Sequence, residues 1–230
     1  MAGAETILNA VIFDFDGVLV DSVAVKTESF AALYEGYGSD VQRRVVDYHL
    51  QNKGISREKK FVYYQQELIG GNTDEETLSS LAKKFAELVK HRVITCDEIA
   101  GSSAVLKWFD QKVPMYVASG TPELELKEII SARGLERYFQ EICGSPKSKI
   151  DILATIIASG NYDRSRCVMV GDARADFAAA EENKCRFIGV GSEAEMEFPA
   201  NTVVLPDLTG FVAAVATFFE TPSDLLVDRE

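Results

Sequence analysis

The chain has 230 residues, 47% of them hydrophobic, and a formal net charge of -12. This length and apolar content support one large domain, or a core domain carrying a smaller insertion. The acidity argues against duplex nucleic acid and anionic membrane surfaces as partners, since both demand clustered Lys and Arg. An acidic enzyme acting on an anionic substrate must supply cations locally, from a few Lys or Arg or from a metal.

Residues 1–9 hold no Lys or Arg ahead of the first apolar run, and Asp14 and Asp16 interrupt that run. The segment therefore does not read as a signal peptide, and no later stretch is long enough to span a bilayer. The expected location is the cytoplasm. The first apolar run, Ala10–Phe13, is a candidate strand. Residues 22–97 then read as successive helices with polar breaks at 36–40, 52–56 and 70–74, and no strand among them. A helical pattern at 104–111 precedes a second strand at 113–118. Thr121 then offers an N-cap and Pro122 a first helical position for a helix over 122–133, with Gly134 where a C-cap stands.

Further along come a strand at 139–143, a helix at 150–159 ending at Gly160, strands at 167–170 and Arg186–Val190, and a weaker strand at 202–205. Several of these runs lack polar alternation, as strands buried on both faces do. Residues 223–230 read as a frayed polar tail. Cys96, Cys143, Cys167 and Cys185 form no CxxC and have no neighbouring His, so they read as free thiols. His49 and His91 stand too far apart for a local zinc motif.

Strand alternating with helix predicts an α/β fold: a doubly wound parallel sheet, Rossmann-like, with a small all-helical domain inserted after the first strand. The core would comprise residues 1–21 and 98–230, the insertion 22–97. The insertion would emerge at the carboxyl edge of the sheet, where such folds bind ligands.

Polar residues of particular kinds follow three of the strands. Asp14 and Asp16 follow the first, Ser119 and Gly120 the second, and Asp172 and Asp176 the strand at 167–170. In a parallel sheet these ends share one edge. Asp172 by itself reads as an N-cap, Asp176 as a solvated helix residue and Ser119 as a turn residue. Asp14 and Asp16 resist such readings, because carboxylates in a buried run need a partner. Like charges so close need a cation or a proton between them, and an all-oxygen donor set suits Mg²⁺. Together the residues read as one site.

The run Asp14-Phe15-Asp16-Gly17-Val18-Leu19-Val20-Asp21-Ser22 resembles the first motif of the haloacid dehalogenase superfamily, phosphatase branch. Ser119 within Val117-Ala118-Ser119-Gly120-Thr121 resembles the second motif, and Gly171-Asp172 with Asp176 the fourth, with Ala173 where a serine is frequent. The resemblance implies an aspartyl-phosphate mechanism. Asp14 would attack phosphorus, and Asp16 would protonate the leaving group and later activate water. Asp14, the Asp16 backbone carbonyl and Asp172 would hold Mg²⁺, supported by Asp176, while Ser119 and nearby backbone N–H groups, with Gly120, hold the phosphoryl. Dehalogenases of the superfamily lack the second aspartate and its transport ATPases carry threonine there, so Asp16 indicates a phosphatase or phosphomutase. The third motif is a lysine, with Lys147 and Lys149 as candidates and Lys149 preferred.

The helical insertion resembles the superfamily's type-one cap, as in phosphoglycolate phosphatases and β-phosphoglucomutase-like proteins. Within it, Asn52-Lys53-Gly54-Ile55-Ser56-Arg57 resembles a cap loop that would bring Gly54, Ser56 and Arg57 to the substrate, Arg57 gripping an anionic group. The plain alternative is a helix start with Ser56 as N-cap and Arg57 solvated. The expected partner is a small-molecule phosphate ester, and the expected state a monomer by default, with a dimer as the alternative. The competing activities are a sugar phosphomutase and, from another class, a phosphoacceptor signalling or phosphate-binding module. Lys26, where β-phosphoglucomutases tend to have histidine, and Gly171-Asp172 in place of Glu-Asp count against the mutase.

Overall fold

The tetrapeptide Ala-Val-Ile-Phe is apolar at every position, and it forms a strand, β1 (Ala10–Phe13), buried on both faces. It lies inside the sheet of a computed structural model that describes residues 7–191, 198–221 and 226. Among the described residues the sheet has six strands, β1 being joined by β2 (Met115–Pro122), β3 (Glu141–Ser145), β4 (Cys167–Gly171), β5 (Arg186–Val190) and β6 (Val203–Leu205). Its order is β3-β2-β1-β4-β5-β6, with every pair parallel. The order reverses at β1, the switch point where doubly wound sheets open a crevice at their carboxyl ends. Phe13 pairs with Val117 on one side and Val170 on the other. The residues that follow each of them therefore stand level at that edge.

Successive strand residues enter opposite layers, as the two-residue period requires. Val11, Phe13, Val117 and Val168 join one apolar cluster with α5 (Ser102–Phe109), α6 (Glu123–Ala132) and α9 (Phe211–Phe218). Ile12, Ala118 and Met169 join the other, with α7 (Lys149–Ser159) and α8 (Arg174–Asn183). Between β1 and β2 come α1 (Val23–Leu33), α2 (Ser39–Gln51), α3 (Arg57–Tyr63), a π-helical turn at Tyr64–Ile69, and α4 (Glu75–Thr95). Their aromatic residues Phe30, Tyr34, Phe61, Tyr64 and Phe85 are buried against one another, with Phe30 and Phe85 ring centroids 4.1 Å apart.

The expected elements are present, with shifted ends. The second strand runs on to Pro122 through an irregularity after Ala118, and the helix behind it starts at Glu123. Thr121 is therefore not an N-cap; its hydroxyl is drawn away to a carboxylate described below. The third strand starts two residues late because 136–138 takes a 3₁₀ turn. Gly134 has φ +69 just past α6, where a left-handed residue ends a helix. All four cysteines are free. No described helix is long and apolar enough to cross a membrane. Of the expected tail, only Leu226 is among the described residues: it is buried, and its carbonyl accepts from the Leu8 N–H at 3.4 Å.

Candidate active site

Asp14 is the first residue after β1. Its N–H donates to the Val170 carbonyl at 2.8 Å, which carries sheet pairing one residue past the strand. Oδ1 accepts from the Phe15 N–H at 2.6 Å, and Oδ2 lies 2.7 Å from Lys149 Nζ. The chain then turns sharply. Leu19 and Val20 N–H groups both donate to the Phe15 carbonyl, and Gly17 N–H donates to Val20. Gly17 has φ +79, and a Cβ there would stand 2.6 Å from Asp172 Oδ2, so both backbone and space call for glycine. Phe15 enters the core and Asp16 remains at the mouth.

The Asp16 carboxylate collects donors. Ser22 Oγ donates at 2.6 Å, Lys26 Nζ at 2.5 Å and Thr121 Oγ1 at 3.0 Å, with Ser119 Oγ at 3.5 Å. Burial by itself would raise its pKa. Lys26, with the Ser22 and Thr121 hydroxyls, outweighs burial and holds it below the ordinary 3.8. Ser119 Oγ also accepts from the Thr121 N–H at 3.1 Å, and its side chain is almost wholly buried.

Lys149 opens α7, whose N-cap Ser148 accepts from the Asp151 N–H. Its ammonium bridges Asp14 and Asp176, at 2.7 and 2.5 Å. Burial would lower its pKa, but the two carboxylates hold it above the usual lysine value, so it is charged. Lys147 is exposed. Asp176 is fully buried, not solvated: Oδ2 accepts from the Ala173 N–H at 3.1 Å, which closes the first turn of α8. Asp172 is not the N-cap either, since Ala173 holds that position.

Ligand atoms of Asp14, Asp172 and Asp176 lie within 4.8 Å of one another. One buried ammonium stands among them, leaving negative charge uncompensated. Burial, then the charge of Asp14, pushes Asp172 up to about 7, and burial also raises Asp14 and Asp176. Buried carboxylates pushed towards protonation, with oxygen as the only donor, fit a hard divalent cation such as Mg²⁺.

A cavity with about 570 Å³ of empty space, part of it open to solvent, joins these groups to the inserted helices. The 52–56 loop seals against the strand ends. A Cβ on Gly120 would stand 2.8 Å from the Gly54 carbonyl oxygen, and one on Gly54, at φ +77, 2.9 Å from Ala175 Cβ. Arg57 makes a bidentate ion pair with Glu125 of α6, at 2.8 and 2.6 Å, and is neither solvated nor unpaired.

The sequence pattern of the haloacid dehalogenase-like hydrolases matches residues 11–190, a span that includes both the strand ends and the inserted helices. The chain belongs to that family. Among curated haloacid dehalogenase-like relatives, the phosphoglycolate phosphatase of Neisseria meningitidis serogroup A is 30% identical over 197 residues, covering 80% of each chain. The phosphorylated carbohydrates phosphatase of Thermotoga maritima is 25% identical, over 76% of this chain and 81% of its own. The fold is shared with the β-phosphoglucomutase of Clostridium difficile, at a TM-score of 0.76 and 17% identity, over 93% and 97% of the two chains. By the family match and the two phosphatase relatives, the protein is an enzyme of the family's phosphatase branch.

Of the residues expected in this haloacid dehalogenase-like site, Asp14, Asp16, Ser119, Gly120, Asp172, Gly54 and Arg57 line the cavity, and Lys149 and Asp176 stand directly behind Asp14. Ser56 does not line it: it occupies the N-cap position of α3 and makes no side-chain cap bond. Sequence reasoning missed Thr121, Ser22, His49 and Lys60. Lys60 carried a signal, since three residues after Arg57 on a helix is the same face.

Proposed function

We propose that this haloacid dehalogenase-like enzyme is a Mg²⁺-dependent phosphatase that hydrolyses a small-molecule phosphomonoester through an aspartyl-phosphate on Asp14. The observation that carries this reading is the division of labour between two neighbouring carboxylates. Asp14 is turned towards Lys149 and the acidic cluster, while Asp16 is ringed by hydroxyl and ammonium donors.

Asp14 Oδ forms a bond to phosphorus as the bond from phosphorus to the ester oxygen breaks. Asp16 gives the departing oxygen its proton. Asp16 is ionised before substrate enters, and a phosphoryl dianion beside it raises its pKa, so the proton is taken up with the substrate. Asp16 then removes a proton from water, which attacks phosphorus and returns Asp14 to its carboxylate. Lys149 balances charge at Asp14 through both steps. Ser119 and backbone N–H groups near Gly120 hold the phosphoryl oxygens. Asp14, the Asp16 carbonyl and Asp172, supported by Asp176, would hold Mg²⁺, which when bound offsets negative charge on the phosphoryl oxygens. Residues 22–97 act as a cap over a core of 1–21 and 98–230, keeping water from the intermediate until the leaving group departs.

The test is phosphate release from a panel of small esters, including 2-phosphoglycolate and sugar phosphates, with and without Mg²⁺, for wild type and Asp14→Asn. Release that requires Mg²⁺ and is lost in Asp14→Asn is expected. A folded wild type that releases nothing from any ester would overturn the reading, and interconversion of sugar phosphates without net release would assign a mutase instead.

A further inference from the structure

Among the described residues four basic side chains line the cavity, and three are already matched by carboxylates. Lys26 pairs with Asp16, Lys53 lies 4.0 Å from Asp172, and Arg57 grips Glu125. Lys60 is the fourth. It is 3% exposed, and among the described residues no carboxylate pairs with it. Its Nζ instead contacts His49 Nδ1 at 2.8 Å and lies 5.5 Å from the Phe30 ring centroid.

A buried ammonium without a counter-charge is costly unless something anionic arrives to balance it. His49 cannot supply that balance. Burial, and then Lys60, lower its pKa, so it is neutral; when Lys60 is protonated, Nδ1 accepts from it and the ring proton sits on Nε2. That Nε2 is itself buried, with no hydrogen-bond partner among the described residues. The cavity wall formed by α2 and α3 therefore holds two nitrogen donors, one of them an amine whose ammonium form burial disfavours, and among the described residues no carboxylate is paired with it to hold that charge. Asp14, Asp16 and Ser119 line the same cavity from the strand ends.

We infer that Lys60, held by His49, is a specificity-determining residue that receives a second anionic group, a carboxylate or a second phosphate, on the leaving-group side of the substrate. The inference rests on the phosphatase reading and names its substrate class: small phosphomonoesters bearing two anionic groups. Arg57, expected from sequence to play this part, has its charge balanced by Glu125. Lys60 has no carboxylate partner among the described residues, and a site whose buried amine can hold its proton only against an arriving anion discriminates strongly against ligands that lack one.

The test compares esters of matched size. The Mg²⁺-loaded enzyme would be assayed on 2-phosphoglycolate against 2-hydroxyethyl phosphate, and on a hexose bisphosphate against the hexose monophosphate. The pair that shows the preference distinguishes a carboxylate from a second phosphate. Wild type should favour the doubly anionic member. Lys60→Met should reduce that ratio of kcat/KM by about 100-fold, chiefly through KM, and Lys60→Arg should restore part of it. An equal loss on both members of a pair, or a wild type with no preference, would overturn the inference while leaving the phosphatase reading intact. Calorimetric binding of 2-phosphoglycolate and 2-hydroxyethyl phosphate to Asp14→Asn, with and without Lys60→Gln, reads the same preference without turnover. It therefore decides the question even if hydrolysis fails or the Met variant misfolds: no preference in Asp14→Asn, or one unchanged by Lys60→Gln, overturns the inference.

Discussion

Lys149 Nζ lies 2.7 Å from Asp14 Oδ2, and both side chains are only 4% exposed. This pair ties the residue after β1 to the first residue of α7, and the same ammonium reaches Asp176. Removing it leaves three buried carboxylates facing one another. Lys149→Met should cost about 3–5 kcal/mol of stability, the range for breaking a buried pair by deleting one partner. Chemical denaturation without divalent cations would read this, and phosphate release should fall with it. Lys147→Met, at an exposed position, should change neither.

The metal cluster should report its donors. Chelation should abolish phosphate release, and added Mg²⁺ should restore it. Asp172→Asn removes one charged oxygen from the cluster of Asp14, Asp172 and Asp176, so the Mg²⁺ concentration for half-maximal rate should rise by about 10–100-fold. A metal titration of the initial rate measures this.

The closed loop has little slack. In Gly54→Ala the new methyl would meet Ala175 Cβ at 2.9 Å and Ala173 Cβ at 3.2 Å, at a φ of +77 that side chains rarely adopt. The loop can relieve this by lifting from the strand ends. Activity should therefore fall further than stability: kcat/KM by roughly tenfold or more, with little change in Tm. Steady-state kinetics beside a thermal melt separates the two.

Arg57 and Glu125 join α3 to α6 by a charged fork. Glu125→Gln keeps one acceptor but leaves the guanidinium charge unmatched, at roughly 1–3 kcal/mol. The expected result is a higher KM, because the closed arrangement of α3 over the strand ends is less populated. An unchanged KM would show that the fork does not govern closure.

Lys60 also sets a pH dependence of stability. Burial first, then the charge of Lys26, lower its pKa from 10.5 to about 7. The unfolded chain therefore binds more protons than the folded one between about pH 7 and 10.5. The penalty is fully present below the folded value and is lost as pH rises towards the unfolded value, so this group makes the fold more stable with rising pH. Relative to Lys60→Met, wild type should gain Tm between about pH 6.5 and pH 9.5. Parallel melts of the two proteins isolate the contribution from other titrating groups.

The fold class and the catalytic edge were legible because they depend on local patterns. Apolar runs such as Ala10–Phe13 and 167–170 are buried on both faces whatever their neighbours. The residues after them must then share one edge of a parallel sheet, which groups Asp14, Asp16, Ser119 and Asp172 without coordinates. Tertiary structure decided which partner each charge meets. Lys149 and Lys147 differ by two residues in an unremarkable loop, and only the position of α7 places one against Asp14 and leaves the other in solvent. Thr121 looked like a helix cap until the Asp16 carboxylate, distant in sequence, proved the better acceptor. Ser56 and Arg57 differ for a similar reason: Ser56 stands in extended backbone just ahead of α3 and off the cavity wall, while Arg57 opens the helix and meets Glu125. His49 and Lys60 come together only because α2 and α3 pack around Phe30. Periodicity specifies which face of a segment is buried; which charges are left unmatched once every face is packed is decided by the assembled fold.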